Sequence, residues 1–160
     1  MGVELATAVR IRALRASDRS FVLALSNAAF SEFSPEPARS TLWLAEHFVT
    51  LVAEREGAPV GFVVVRIERD KLAELVAIAV VENERGHGVG RALLKAAEIR
   101  ARAGGGTGVV LHTAEANLAA FELFVKNGFR VRRRIRRYYV GVFDACEMVK
   151  SWSARSRARE

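Results

Sequence analysis

The sequence predicts an α/β fold in which helices pack on a single mixed β-sheet. Segments with the alternating or wholly apolar pattern of strands are interspersed with segments of helical periodicity. Clusters of Gly, Pro, Asn and Asp separate them. The predicted order is β-α-α-β-β-β-α-β-α-β-β. The chain has the length of one domain, which we expect to span residues 1–150, followed by a basic, disordered tail at 151–160.

The first half of the chain is predicted to contain four strands and two helices. Residues 9–14 alternate apolar and basic side chains as a strand does, and Ser17 and Asp18 are typical of the start of a helix. A hairpin is predicted where Gly57 lies between two runs rich in β-branched residues. The predicted elements are strands at 9–14, 48–54, 60–67 and 72–81 and helices at 17–30 and 38–47, with a turn-rich loop at 30–37.

The second half is predicted to contain two helices and three strands. The glycines at 104–106 end the first of these helices, and Asn127-Gly128 is a common ending for the second. The predicted elements are a helix that ends near 103, a helix at 117–127, and strands at 109–113, 129–135 and 138–149.

Composition limits the range of functions. The chain carries 25 basic and 18 acidic residues, and its net charge of +7 favours an anionic partner such as nucleic acid, a phosphorylated cofactor or an acidic peptide. Its apolar runs are far shorter than a membrane-spanning helix and the N-terminus lacks a signal pattern, so we expect a cytoplasmic protein with no membrane partner. The single cysteine, Cys146, is expected to be a buried thiol, and the histidines lack the spacing of a metal site.

The stretch ENERGHGVGRALL at 82–94 places Gly86, Gly88 and Gly90 where a helix should begin. Glycine inside a helix destabilises it by about 1 kcal/mol relative to alanine, so a bare backbone serves another purpose here. The first N–H groups of a helix have no internal partner and carry partial positive charge, and glycine allows a phosphate to approach them. Arg85 and Arg91 add charge on both sides. The pattern therefore predicts an anion-binding loop rather than a plain turn.

The spacing of this loop excludes two common phosphate motifs and matches a third. The string G-x-x-x-x-G-K-[ST] is missing, and neither start among the glycines completes G-x-G-x-x-G. Residues 85–90 read R-x-x-G-x-G, directly after an apolar strand. Three further features follow downstream, namely Asn117-x-x-Ala120, Phe124 and the turn Asn127-Gly128-Phe129. Together these motifs resemble the GNAT superfamily of acetyl-CoA-dependent N-acetyltransferases, over residues 73–149 by motif and over the first 70 residues by element order.

The resemblance implies a fold, a cofactor and the residues that hold it. The fold would be the GNAT fold, a single mixed, mostly antiparallel sheet of about six to seven strands flanked by about four helices. The enzyme would be an acyltransferase that moves an acetyl group from acetyl-CoA to a primary amine. The expected cofactor-binding residues are Ile78, Ala79, Val80, Arg85, Gly86, His87, Gly88, Val89, Gly90, Arg91, Asn117 and Phe124.

Direct transfer to an amine needs a base, a donor for the developing oxyanion and an acid. The resemblance assigns the donor to a backbone N–H near Ile78–Val80, aimed by a β-bulge. The candidates for the base are His112, at a position where relatives carry Glu or His, and Glu74 at the start of the central strand. Many family members use a Tyr as the acid that protonates the leaving thiolate, and this chain has Phe124 at that position. The remaining sources of the proton are Tyr138, Tyr139 and water, unless the thiolate leaves unaided.

The acceptor is expected to be the α-amine of a protein or peptide N-terminus. Residues 136–139, Arg-Arg-Tyr-Tyr, resemble the branch of N-terminal protein acetyltransferases that includes an enzyme acting on a ribosomal protein, where a Tyr-Tyr pair lines the peptide slot. Phe30 and Phe33 would form the other wall. Two alternatives stay open: an enzyme of the same fold that acetylates a small amine or an antibiotic, and a non-catalytic module that binds CoA or RNA.

Six arginines fall within residues 130–137. They are expected either to cover a solvated strand or to form a patch for acidic peptide or ribosomal RNA, which would support association with the ribosome. We expect the protein to be a monomer or a homodimer.

Overall fold

The computed structural model describes residues 8–152 of the chain. The strands are β1 (Arg10–Ala13), β2 (Val49–Arg55), β3 (Ala58–Arg66), β4 (Leu72–Val80), β5 (Gly108–Ala114), β6 (Arg130–Tyr139) and β7 (Phe143–Ser151). The α-helices are α1 (Arg19–Phe30), α2 (Pro37–His47), α3 (Val89–Ala103) and α4 (Leu118–Lys126), with short 3-10 helices at Ala16–Asp18 and Glu82–Glu84. Within the described residues, the strands form one seven-stranded sheet in the order β1-β2-β3-β4-β5-β7-β6, which confirms the predicted fold class.

Neighbouring strands of the sheet are antiparallel except the pair β4–β5, which is parallel. Among residues 8–152 no helix is long and apolar enough to cross a membrane. Trp152 still packs on the domain: its indole N–H donates to the carbonyl oxygen of Gly106 at 2.9 Å, and the guanidinium of Arg102 lies 4.1 Å from its ring centre. From residue 153 onward, the predicted tail lies outside the described residues.

An apolar core lies on each face of the sheet. Helices α3 and α4 cover one face, where Leu93 packs with residues such as Leu111. Helices α1 and α2 cover the other, where Val22 packs with residues such as Phe62. Because both faces of β3 are covered, residues 60–65 are uniformly apolar or glycine instead of alternating with polar residues. Fully burying one such side chain stabilises the fold by about 1.5–3 kcal/mol, so the central strands are a firm support for the site.

The two central strands separate halfway along their length. In the described sheet, β4 pairs with β5 over Leu72–Leu75, and the pairing ends there. A β-bulge follows at Val76, because Leu75 and Ala77 pair with consecutive residues of β3. The sequence predicts a bulge near Ile78–Val80, and the observed bulge lies two residues before Ile78. It bends β4 away from β5 and leaves a gap between the two strands.

The hydrogen-bond pattern of β4 shows which amides face this gap. The N–H of Val81 donates to the carbonyl oxygen of Val60 at 2.9 Å, so Val81 bonds to the β3 side. In an antiparallel pair, the residues that bond to a given neighbour alternate along the strand. The N–H groups of Ile78 and Val80 therefore point away from β3 and into the gap, while that of Ala79 points to β3.

The last hairpin differs from the one predicted. The predicted break between strands at 135–138 is wrong, because β6 continues to Tyr139 and the turn lies at residues 140–142. Val140 and Gly141 adopt φ angles of +47° and +67°, the mirror-image turn that joins two adjacent strands tightly. A β-branched residue rarely takes a positive φ, so nothing in the letters Val-Gly-Val indicated a turn. Both tyrosines of the predicted slot consequently end the edge strand β6.

Candidate active site

The glycine loop has the open backbone that the sequence predicts. Gly86 and Gly88 have φ angles of +78° and +84°, which favour glycine, and a Cβ built on either would meet no atom of the described residues within 4 Å. The hydrogen bond from the N–H of Ala92 to the carbonyl oxygen of Gly88, 3.0 Å, closes the first turn of α3. The amides of residues 89–91 therefore have no acceptor within the helix and face the loop. Such a backbone fits an anion like the diphosphate of coenzyme A.

The third glycine has a different structural reason. A Cβ on Gly90 would lie 2.9 Å from Cδ2 of Leu123, so this position lets α3 and α4 pack closely. Val89 is buried and anchors the start of α3 in the core, so that it offers the loop its amide and not its side chain. Among the three glycines, Gly86 and Gly88 are those that leave room for a ligand.

Charged and polar side chains flank the loop. Arg85 is exposed, and its Nε donates to the carbonyl oxygen of Val80 at 3.3 Å, which ties the loop to the end of β4. His87 and Arg91 are exposed on the loop and the first turn of α3. Asn117 caps α4 as predicted, because its Oδ1 accepts the N–H of Ala120 at 3.3 Å. The cap uses the oxygen of Asn117 and leaves its amide nitrogen for another partner.

Phe124 lies in the core rather than at the surface of the gap. Its side chain is 3% exposed and packs edge-on against Phe129, with ring centres 5.7 Å apart. A ring in this position supports the wall behind the cofactor loop, and it has no proton to donate. The acid that the sequence analysis looked for must therefore come from elsewhere.

Four of the predicted site residues form one continuous aromatic row, which we define as His112, Tyr138, Tyr139 and Phe33. The His112 ring stacks on Tyr138 with centres 5.1 Å apart and an interplanar angle of 17°. Tyr138 meets Tyr139 edge-on at 4.9 Å, and Tyr139 contacts Phe33 at 5.7 Å. The aromatic row thus joins β5 and the end of β6 to the loop between α1 and α2. Phe30, also predicted for this wall, is partly buried and packs against the core between the sheet and α1–α2.

The partner of His112 is Glu147, which was not predicted as a site residue. Nε2 of His112 lies 3.1 Å from Oε1 of Glu147, which is directly opposite on β7. Glu147 also accepts hydrogen bonds from Nε of Arg132 at 3.0 Å and of Arg133 at 2.8 Å. The two arginines and the histidine lower the pKa of Glu147 to about 2, against the opposing effect of burial. The predicted strand at 138–149 holds two acidic residues, Asp144 and Glu147, and the sequence does not show which of them faces His112.

Glu74, the second candidate base, has another partner. Its carboxylate pairs with the guanidinium of Arg66 on β3 at 2.6 Å. It precedes the bulge, on the part of β4 that still pairs with β5, opposite Val110. The structure therefore brings His112, Tyr138 and Tyr139 together and joins Glu74 to a different ion pair.

The two tyrosines differ in their surroundings. Tyr139 is largely buried, and burial raises its pKa above the usual value of 10. Tyr138 is about half exposed. Cys146 is buried, as predicted, on the face of the sheet opposite to Glu147.

The chain is similar in sequence and in fold to known acetyltransferases. The sequence profile described as the Acetyltransferase (GNAT) family matches residues 19–129. No curated protein matches the sequence. The ribosomal-protein-alanine N-acetyltransferase from Brucella melitensis is 26% identical, with a TM-score of 0.76 over 89% of this chain and 99% of that one.

Two further solved structures share the fold at lower identity. The ribosomal-protein-S18-alanine N-acetyltransferase from Escherichia coli is 23% identical, with a TM-score of 0.80 over 96% of this chain and 99% of that one. The Salmonella typhimurium protein yncA, whose structure contains its cofactor acetyl-CoA, is 20% identical, with a TM-score of 0.79 over 96% of this chain and 99% of that one.

Proposed function

The chain belongs to the acetyltransferase (GNAT) family and is an acetyl-CoA-dependent N-acetyltransferase, and from this premise we propose that its acceptor is the α-amine of a protein or peptide N-terminus. Acetyl-CoA supplies a thioester whose acetyl group is transferred to the amine. The residues of this chain then have three tasks. They hold the cofactor, they take a proton from the acceptor, and they line the slot through which the acceptor enters.

Holding the cofactor is the task that we assign to the loop at 85–91. The open backbone at Gly86 and Gly88 and the free amides of the first turn of α3 support this assignment. Arg85 and Arg91 add positive charge, and the spare amide nitrogen of Asn117 adds one more donor. The amides of Ile78 and Val80, which face the gap between β4 and β5, are available to the carbonyl oxygen of the thioester.

Proton transfer is the task that we assign to His112. Its ring is partly exposed, it lies beyond the point where β4 and β5 separate, and it is held by a carboxylate and an aromatic ring. A free α-amine has a pKa of about 8 and a lysine side chain one of about 10.4, so the α-amine is far easier to deprotonate near neutral pH. A single imidazole base is therefore better matched to an N-terminus than to a lysine.

Tyr139 is poorly suited to give a proton to the leaving thiolate. Its pKa lies above 10, whereas a thiol has one of about 8.5, so proton transfer from this phenol to the thiolate is uphill. We assign Tyr139 to the wall of the slot. Tyr138, half exposed and stacked on His112, is the tyrosine that we expect to hydrogen-bond at the reacting end.

The aromatic row is the single observation that carries the choice of acceptor. It runs from the proposed base to the loop between α1 and α2, so its rings line one continuous path. Rigid aromatic walls with hydroxyl groups suit a peptide, whose backbone needs both apolar contact and hydrogen bonds. Two of the similar solved structures are named as acetyltransferases of ribosomal-protein alanine, which supports an N-terminal acceptor here.

A competition among acceptors tests the proposal. The protein is incubated with acetyl-CoA and a pooled library of peptides with free N-termini, each containing an internal lysine, in parallel with polyamines and aminoglycosides. Mass spectrometry then locates the acetyl group. We expect acetylation of α-amines; turnover confined to polyamines or aminoglycosides, or acetylation of lysine side chains alone, would contradict the proposal.

A further inference from the structure

We propose that Glu147 is a positioning residue that determines which ring nitrogen of His112 accepts the proton. The inference rests on the proposed function, in which His112 is the base, and it assigns a task to a residue outside the motifs of the family. It also gives the arginines of β6 a role in the active site.

The pairing of β5 with β7 places the Glu147 carboxylate beside His112. Cys146 and Met148 belong to the core beneath α3, and because side chains alternate along a strand, Glu147 points to the opposite face. His112 is its direct partner across the β5–β7 pair, and the Nε2–Oε1 distance is 3.1 Å. Glu147 is only 4% exposed, so its carboxylate is held by protein atoms.

A β-bulge in β6 brings two arginines to the same carboxylate. The pairing with β7 shifts between Val131 and Arg133, which places one extra residue, Arg132, in β6. Consecutive side chains of a regular strand point to opposite faces, but here both Arg132 and Arg133 reach Glu147. Their charges keep Glu147 ionised far below neutral pH, with a pKa of about 2.

An ionised carboxylate decides the tautomer of its neighbour. It can only accept hydrogen bonds, so the nitrogen that faces it must carry the hydrogen. In neutral His112 this nitrogen is Nε2, and the lone pair is then on Nδ1. Stacking on Tyr138 fixes the plane of the ring at the same time. Glu147 therefore leaves Nδ1 as the atom that takes the proton from the amine, and it stabilises the imidazolium that results.

Few other charged groups lie near His112 on the surrounding strands. On β4 the nearest acidic residue is Glu74, which is neutralised by Arg66. From β6 come the phenol of Tyr138 and the two arginines on Glu147. Arg134, on the same strand, pairs instead with Glu115 and not with Glu147. Glu115 therefore offers a matched control, since it is a carboxylate paired with a β6 arginine but away from His112.

The experiment compares the wild-type enzyme with Glu147→Gln and Glu115→Gln. The first readout is independent of activity: ring nitrogen and carbon NMR shifts of labelled histidine report the tautomer, and His112→Gln assigns the signal. We expect the Nε2–H form in the wild type and in Glu115→Gln. In Glu147→Gln we expect a mixture of both forms, because an amide can either accept from Nε2 or donate to it.

The second readout is the pH dependence of peptide acetylation. In Glu147→Gln we expect kcat to fall about tenfold with KM for acetyl-CoA unchanged. The acidic limb of the profile should move to lower pH, because a neutral amide stabilises imidazolium less than a carboxylate does. Glu115→Gln should match the wild type in both respects.

Two results would overturn the assignment: an Nδ1–H tautomer in the wild type, or a Glu147→Gln variant with unchanged tautomer and unchanged profile. If the wild type acetylates none of the peptides, the proposed function fails while the NMR readout still tests the role of Glu147. If Glu147→Gln does not fold, the tautomer of the wild type still tests the assignment, because an Nδ1–H form there would overturn it.

Discussion

The loop at 85–91 and the aromatic row with Glu147 form two sides of one proposed site, and they are built in opposite ways. The loop is a short continuous segment that presents backbone amides and leaves its Cβ positions empty. The other side combines side chains from β5, β6, β7 and the loop between α1 and α2, in direct contact with one another. An anion is held by the shape and dipoles of a backbone, whereas proton transfer needs one particular atom of one particular side chain.

This difference predicts different sensitivities to mutation. On the loop side, adding any side chain at a positive φ should disturb binding, whatever its chemistry. On the aromatic side, substitutions that keep shape but remove one atom should change the rate and leave cofactor binding intact.

Replacing His112 with Gln should have the largest effect. Glutamine keeps a polar side chain opposite Glu147 but cannot take up a proton, so kcat for peptide acetylation should fall by about 100- to 10,000-fold. Calorimetric titration with CoA should give the wild-type Kd. Weaker CoA binding in this variant would contradict the view that the aromatic side acts on the rate alone. A wild-type kcat would exclude His112 as the base.

Replacing Gly88 with Glu should weaken CoA binding about 100-fold, the equivalent of one or two charge-assisted hydrogen bonds, because a carboxylate would face the diphosphate. The matched control is Gly57→Glu in the β2–β3 hairpin. Gly57 has a φ of +78° and open space around its Cβ position, so it carries the same backbone strain outside the loop at 85–91. Titration of both variants with CoA measures the effect, and equal affinities would contradict the role of the loop.

The two tyrosines should separate in a pair of conservative substitutions. Tyr138→Phe should lower kcat about tenfold by removing a hydroxyl at the reacting end. Tyr139→Phe should change kcat less than about twofold and instead raise KM for peptide, because the hydroxyl of a wall residue contributes about 1 kcal/mol of binding at most. Steady-state kinetics of both variants on one peptide measures kcat and KM. A larger loss of kcat in Tyr139→Phe than in Tyr138→Phe would exchange the roles that we assign to the two tyrosines.

Replacing Gly90 with Ala should separate packing from binding within the loop itself. The new methyl group would displace Leu123, so the free energy of unfolding should fall by about 1 kcal/mol while the affinity for CoA stays close to that of the wild type. Chemical denaturation and titration on the same sample give both values. A large loss of affinity with unchanged stability would assign Gly90 to the ligand and not to the contact between α3 and α4.

Glu147 should also make stability depend on acidic pH. Its pKa is lowered from 4.5 to about 2 in the folded protein, so its contribution to stability is present above pH 4.5 and is lost as the pH falls toward 2. The slope of unfolding free energy against pH in this window should therefore be smaller in Glu147→Gln than in the wild type. Identical slopes would show that the arginines do not hold the carboxylate in its ionised form.

Sequence reasoning succeeded where the information is local. The open glycine loop, the Asn117 cap and the turn after α4 depend on residues a few positions apart, and each was predicted and lies where expected. Its failures are non-local. Glu147 is 35 positions from His112 and reaches it through the register of two strands, and the bulge at Arg132 that adds the arginines leaves no mark in composition.

The arginines illustrate the same limit. Six in eight residues indicated either a solvated strand or a patch for an anionic partner. In the structure, Arg132 and Arg133 neutralise Glu147, and Arg134 neutralises Glu115. Three of the six arginines therefore have a carboxylate partner within the domain, although their side chains are partly exposed. Charge counting along a sequence cannot reveal such pairs, because the carboxylates lie on other elements.

The bulged edge strand β6 has one more consequence. A strand at the border of a sheet can pair with an added extended chain, because its outer side offers unpaired amides and carbonyls. Two breaks in its register and a row of like charges make β6 a poor template for such pairing. The same irregularity that brings two guanidinium groups to Glu147 thus also disfavours the pairing of β6 with another chain.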